Sequence, residues 1–243
     1  CRDHGLKLIS WTVALHNSHL GTNYPECSER TVFDDPLTWR LCPSNQAVRE
    51  YIKAVARDLT SNYNVFRVEL ESLDFGGYGH SHYHVKDGVN FGSAGRLLMA
   101  LCFCPSCLQR ARGGGIDVER LLGEVRRSLQ AVFETGRPLE GDVQAFIRQN
   151  PELEAYVGMR DEAVASLLQE VKESANAQVS YILMGGRNSG VDLRRIASIA
   201  DRVEILAYSP SPDDVERTVK QTSTQLGGVE KLLVGLQAYH PAA

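Results

Sequence analysis

The sequence predicts an α/β fold, a (β/α)8 or TIM barrel that is incomplete at both ends of the chain. Three observations predict it. Strand-like and helix-like segments alternate along the 243 residues, which makes each helix a crossover between parallel strands. The strands are two-faced: Phe66, Val68 and Leu70 share one side, and Arg67, Glu69 and Glu71 the other. A doubly wound sheet, covered on both faces, would read instead as continuous apolar runs. Five recognisable strands are too few to close an eight-stranded barrel, so residues 1–243 read as part of a single barrel domain.

The elements follow in order. Residues 8–16 form the first strand. Ile9, Trp11, Val13 and Leu15 make a bulky face expected to meet helices; Ser10, Thr12, Ala14 and His16 make a small or polar face expected to line the interior. Residues 17–41 read as a loop rich in His, Asn, Gly and Pro. Ser44 is the expected cap of a helix with Val48, Ile52, Val55 and Leu59 on one side. Residues 64–72 are the second strand, and a Gly- and His-rich loop follows. Residues 97–112 read as helical, Asp117 opens a helix carrying Leu121, Leu122, Val125 and Leu129, and further helices cover 141–149 and 152–174. Strands at 178–184, 203–208 and 231–239 then alternate with helices at 191–200 and after Ser211-Pro212-Asp213-Asp214, a cap, an N-terminal proline and two carboxylates. Gly113-Gly114-Gly115 is a plain linker. No internal repeat stands out.

Composition narrows the function classes. At 43% hydrophobic and 23% charged, the chain has the make-up of a globular protein large enough to bury a core. A net charge of -4 argues against a nucleic-acid partner. No apolar run approaches the roughly 20 residues of a membrane span. The opening Cys1-Arg2-Asp3-His4-Gly5 leads straight into a strand, as if the chain began inside a domain.

Cysteine spacing is the strongest signal. Cys102, Cys104 and Cys107 form a Cys-x-Cys-x-x-Cys cluster, and 59 residues lie between Cys42 and Cys102. Three thiols so close cannot all pair with one another; with one distant cysteine they make a tetrahedral thiolate cage, the geometry of a structural zinc site. Disulfides and buried free thiols remain alternatives. Reduced thiols favour the cytoplasm. Cys27 is a spare loop thiol or a substitute ligand.

Glu69 and Glu71 point to one side of their strand, and Arg67, one layer lower, is placed to neutralise Glu69. Glu71, nearer the strand's C-terminal end, is the better candidate for chemistry. His16 and Asn17, Tyr208 with Glu204 on its face, and Gln237, Tyr239 and His240 lie at other strand ends, where they would line a pocket for a hydroxyl-rich small molecule. His80, His82 and His84 alternate in a loop and offer a second metal site, or plain solvated side chains. Gly185-Gly186-Arg187 is a turn with some capacity to hold an anion.

Leu41-Cys42-Pro43-Ser44-Asn45, a strand ending in an acidic pair, and Cys102-Phe103-Cys104-Pro105-Ser106-Cys107 come in an order that resembles the family 42 β-galactosidases of the clan A glycoside hydrolases. The resemblance covers roughly residues 41–107. It implies structural zinc on Cys42, Cys102, Cys104 and Cys107. It also sets Glu69-Leu70-Glu71 where those enzymes carry Asp-Asn-Glu, with Glu71 on the acid/base. The implied function is carboxylate acid/base hydrolysis of a glycoside. Two departures stand out. Leu70 replaces the Asn, and the last strand, Val234-Gly235-Leu236-Gln237-Ala238-Tyr239-His240, lacks the Glu nucleophile of the clan. A carbohydrate-binding barrel without catalysis is therefore the alternative, and a hydrolase or isomerase using the histidine loop a third. Trp11-Thr12 and His16-Asn17 also resemble the Trp-Thr-x-x-x-His-Asn strand of bacterial barrel proteins of unassigned activity.

Overall fold

A computed structural model of the chain describes residues 4–78 and 88–237. Its frame is a parallel five-stranded sheet of β1 (Ile9–Val13), β4 (Arg67–Glu71), β5 (Gln178–Leu183), β6 (Arg202–Ala207) and β7 (Leu232–Leu236), lying side by side in chain order. A doubly wound sheet reverses its strand order part-way; this one never does. Between β1 and β4 lie α1 (Ser18–Asn23), the antiparallel pair β2 (Ser28–Arg30) and β3 (Pro36–Leu41), and α2 (Gln46–Asn62). Between β4 and β5 come α3 (Gly92–Ala100), α4 (Pro105–Gly113), α5 (Val118–Thr135), α6 (Val143–Arg148) and α7 (Pro151–Ser174). The later crossovers are α8 (Leu193–Ile199) and α9 (Pro212–Leu226).

One face of the sheet is the core. Val68, Leu70, Val179, Tyr181, Val203 and Ile205 are buried there, with α2 packed on β4 and α8 and α9 on β6. The opposite face carries Arg67, Glu69, Glu71, Ser180, Glu204 and Gly235, as the parallel register dictates. The alternation read from the sequence therefore holds for β4.

It is inverted for β1. Trp11 pairs in register with Glu69 and Val13 with Glu71, so the bulky face of β1 lies on the carboxylate side. Ile9, Trp11 and Val13 are accordingly exposed, Trp11 by 70%. A two-residue period separates two faces but does not say which one helices cover.

Residues 17–41 are not merely a loop. Asn17 caps α1 by accepting the Leu20 N–H (2.9 Å), and β2–β3 is a hairpin too short and too polar in β2 to announce itself. The cap of α2 is Asn45, which accepts from Ala47 and Val48, rather than Ser44. The buried stripe of α2 runs through Val48, Ile52, Ala56 and Thr60, with Val55 and Leu59 half-buried beside it. The helix expected over 97–112 breaks at 101–104, between α3 and α4. Pro105 restarts it, because proline is suited to the first turn and not to the interior. The caps expected at Asp117 and Ser211 are both made, on Arg120 N and Asp214 N.

Candidate functional site

Two sites grow from this frame. The first is the thiolate cluster. Cys42 directly follows β3, Cys102 and Cys104 occupy the break between α3 and α4, and Cys107 sits in the first turn of α4. All four side chains are buried, and their sulfurs lie within 4.8 Å of one another. Cys42 Sγ is 3.4 Å from Cys107 Sγ, 3.4 Å from Cys104 Sγ and 3.9 Å from Cys102 Sγ. A tetrahedral site with metal–sulfur bonds of about 2.3 Å has S–S edges of about 3.8 Å, so the four sulfurs can hold a metal ion.

Backbone geometry aims them there. The Arg30 N–H points at Cys102 Sγ and the Ser44 N–H at Cys42 Sγ, both at 3.4 Å. Phe103 N donates to Arg30 O and Cys42 N to Cys27 O, which ties the hairpin to the cysteine loop. Tyr156 from α7 donates to Cys102 O and stacks on Phe103. Burial pushes the Cys42 and Cys102 thiols well above their ordinary range, while hydrogen bonds from Cys102, Cys107 and Cys42 pull Cys104 below it. Cys27 stands outside the cluster, half-buried.

The second site is the carboxylate face. Arg67 Nη2 reaches Glu69 Oε1 at 3.0 Å, the pairing expected of residues two apart on one side of a strand. Glu204 comes to this pair from β6. Burial raises its pKa first, Glu69 raises it further, and Arg67 opposes both. Gly235 on β7 lies beside it, where a Cβ would reach ordinary contact with Glu204 Oε1 at 3.4 Å. One layer up, at the C-terminal end of β4, Glu71 Oε2 accepts the Trp11 indole N–H at 2.5 Å. The inverted face of β1 thus places an exposed aromatic beside the candidate acid.

The remaining candidates sit at other strand ends. His16 follows β1 and bridges to Arg40 of β3 through the backbone. Asn17 Oδ1 is taken by the α1 cap. Tyr208 follows β6, half exposed, and Gln237 follows β7. Tyr239, His240, His80, His82 and His84 lie outside the described residues.

The sequence places Glu204 at a strand end but does not reveal its nearness to Glu69, nor that Trp11 meets Glu71. A signal for Glu204 was present: Arg202-Val203-Glu204-Ile205 echoes Arg67-Val68-Glu69-Leu70, two strands with the same Arg-x-Glu on their open face. Among the described residues no helix is long and apolar enough to cross a membrane.

No family model matches the chain, and no curated protein does. Solved structures with distant likeness include the β-galactosidase of Bacillus circulans sp. alkalophilus, 13% identical, with a TM-score of 0.49, covering 88% of this chain and 32% of that one. The cold-adapted β-galactosidase of Rahnella sp. R3 is 12% identical, TM-score 0.48, with 87% and 30% covered. That of the psychrophilic Marinomonas ef1 is 11% identical, TM-score 0.45, with 87% and 34% covered. The chain spans about a third of the length of these enzymes.

Proposed function

We propose that the chain is the wall of a glycoside hydrolase-like (β/α)8 barrel acting on a sugar or glycoside, with Glu71 as its acid/base. The observation that carries the reading is Glu71 itself. It ends β4, shares its face with a second carboxylate, and has one oxygen engaged by Trp11. Trp11 occupies Oε2, so Oε1 is the oxygen that would meet a leaving-group oxygen. The exposed indole is a surface on which a sugar ring would stack, its C–H face against the ring. His16, Asn17, Tyr208, Gln237, Tyr239 and His240 would line the same mouth. Glu69, already paired to Arg67, would hold the strand's polar face together rather than take part in chemistry.

The cysteine cluster would hold structural zinc. Four thiolates leave no open position for a substrate, so the metal's contribution would be to brace the loops beside the mouth. Such a protein, with reduced thiols, would work in the cytoplasm.

Gln237 favours a second reading. It directly follows β7, where the clan's nucleophile would stand, and it is not a carboxylate. A barrel lacking that group would bind sugars without cleaving them.

Turnover of aryl glycosides by the protein and its Glu71→Gln variant separates the readings. An acid acts in the transition state, so the variant should lose most turnover on poor leaving groups and much less on activated ones, with binding largely kept. Equal losses on both would remove Glu71 from the role of acid. Sugar binding with no turnover would establish the non-catalytic barrel.

A further inference from the structure

A buried ion network lies at the C-terminal end of β4, and the mechanism above does not use it. Arg40 of β3 and Asp74, three residues past Glu71, are 2% and 4% exposed. Arg40 Nη2 donates to Asp74 Oδ1 and to Asp74 O, both at 2.8 Å, and its Nε lies 3.7 Å from buried Glu29. Glu29 in turn accepts the N–H groups of Gly76 and Gly77. Arg160, fully buried and stacked on Phe75, acts on both carboxylates. Four charges withdrawn from water cost several kcal/mol each before pairing, and apolar packing would hold a fold at least as well. The expense points to a ligand.

The network borders a cavity of about 100 Å3 that opens beside exposed Met184. Two glycines shape it. A Cβ on Gly76 would stand 1.8 Å from Arg40 Nε; one on Gly185 would stand 3.1 Å from Asp74 Oδ2 and 2.4 Å from Ser189 Oγ. Gly76 lets the guanidinium lie against the wall, and Gly185 keeps the space before Asp74 and Ser189 clear. Arg40 Nε is sealed behind Gly76 and faces Glu29, so the polar groups that border the open space are Asp74 and Ser189.

We propose that this cavity is a recognition subsite for a neutral hydroxyl-bearing group, such as a vicinal diol or hydroxymethyl arm of a sugar. The charge balance decides the class. Arg40 and Arg160 offset Glu29 and Asp74, so neither a cation nor an anion gains from entering. A hydroxyl both donates and accepts, which matches Asp74 Oδ2 as acceptor and Ser189 Oγ as donor or acceptor. The cavity exceeds the roughly 30 Å3 of one water and is far smaller than a whole sugar ring site, so it takes one arm of the ligand. The assignment rests on the sugar-acting reading above, and makes the Arg40–Asp74 pair a specificity device rather than part of the chemistry.

The test is calorimetric titration of the full chain with D-galactose, D-glucose, D-mannose and their monodeoxy analogues, in the native protein and in Gly185→Ala. Native protein should lose about tenfold in affinity when one particular hydroxyl is removed, the size of a single hydrogen bond. Gly185→Ala, whose Cβ would push Ser189 aside, should bind the parent sugar about tenfold more weakly and no longer distinguish that deoxy analogue. Gly185→Ala that binds like native, or native protein with no saturable binding of any of these sugars at tens of millimolar, overturns the proposal. If Gly185→Ala does not fold, Ser189→Ala, which only removes a hydroxyl, must weaken the same sugar severalfold; unchanged affinity overturns it equally. The two readings fail separately. Turnover that depends on Glu71 with native KM in Gly185→Ala removes the subsite alone, and selective sugar binding without turnover removes the hydrolase alone.

Discussion

Cys102→Ser should lower the melting temperature far more than Cys27→Ser. Cys102 is buried in the cluster, 3.9 Å from Cys42 Sγ, and its sulfur faces the Arg30 N–H of the hairpin. Its carbonyl accepts from Tyr156 of the long helix α7. A metal held there joins β3, the cysteine loop and α4. Structural zinc is worth roughly 10–16 kcal/mol in small four-ligand sites, or about 2.5–4 kcal/mol for each ligand if shared equally. In a chain of this length about 1 kcal/mol moves the midpoint by about 2–4 °C, so Cys102→Ser should cost roughly 5–16 °C. Cys27 is half-buried and outside the cluster; its serine variant should stay within about 1 kcal/mol of native. Scanning calorimetry of both variants, paired with elemental analysis of the native protein, measures this. Near-equal melting temperatures, or native protein purified without chelator that carries no stoichiometric metal, would refute the reasoning.

Three further outcomes are expected. Burial and Glu69 raise the pKa of Glu204, so its contribution is complete below the ordinary carboxylate range and is lost as pH rises through the raised value. Glu204→Gln should therefore gain stability relative to native between about pH 4 and 7, and urea midpoints at both ends of that window measure the difference. Gly76→Ala should destabilise by about 3 kcal/mol or more, because its Cβ would strike Arg40, whereas Gly158→Ala, with nothing within 4 Å in α7, should be neutral or stabilising by up to about 1 kcal/mol; thermal melts of the pair check the contrast. Trp11→Phe removes the N–H held by Glu71 while keeping a ring on an exposed site, so turnover, if the protein is a hydrolase, should fall about tenfold with no change in melting temperature.

The sequence by itself determined what local chemistry controls. Asp117 and Ser211 cap their helices because a side-chain oxygen three residues from an N–H needs no distant partner. Strict alternation in Arg67–Glu71 sorted core from open face, and put Arg67 within reach of Glu69. The Cys-x-Cys-x-x-Cys spacing announced a cluster, since three sulfurs so near in sequence have few ways of being apart. Tertiary structure decided the rest. Only the parallel register between β1 and β4 shows that Trp11 faces Glu71, because periodicity is silent on which face is covered. Only the sheet order β4–β5–β6 brings Glu204 within electrostatic range of Glu69, and only the loops after β4 and β5 bring Asp74 and Gly185 around one cavity. Contacts between residues more than a hundred positions apart leave no mark on either strand alone; packing creates them, and with them the site.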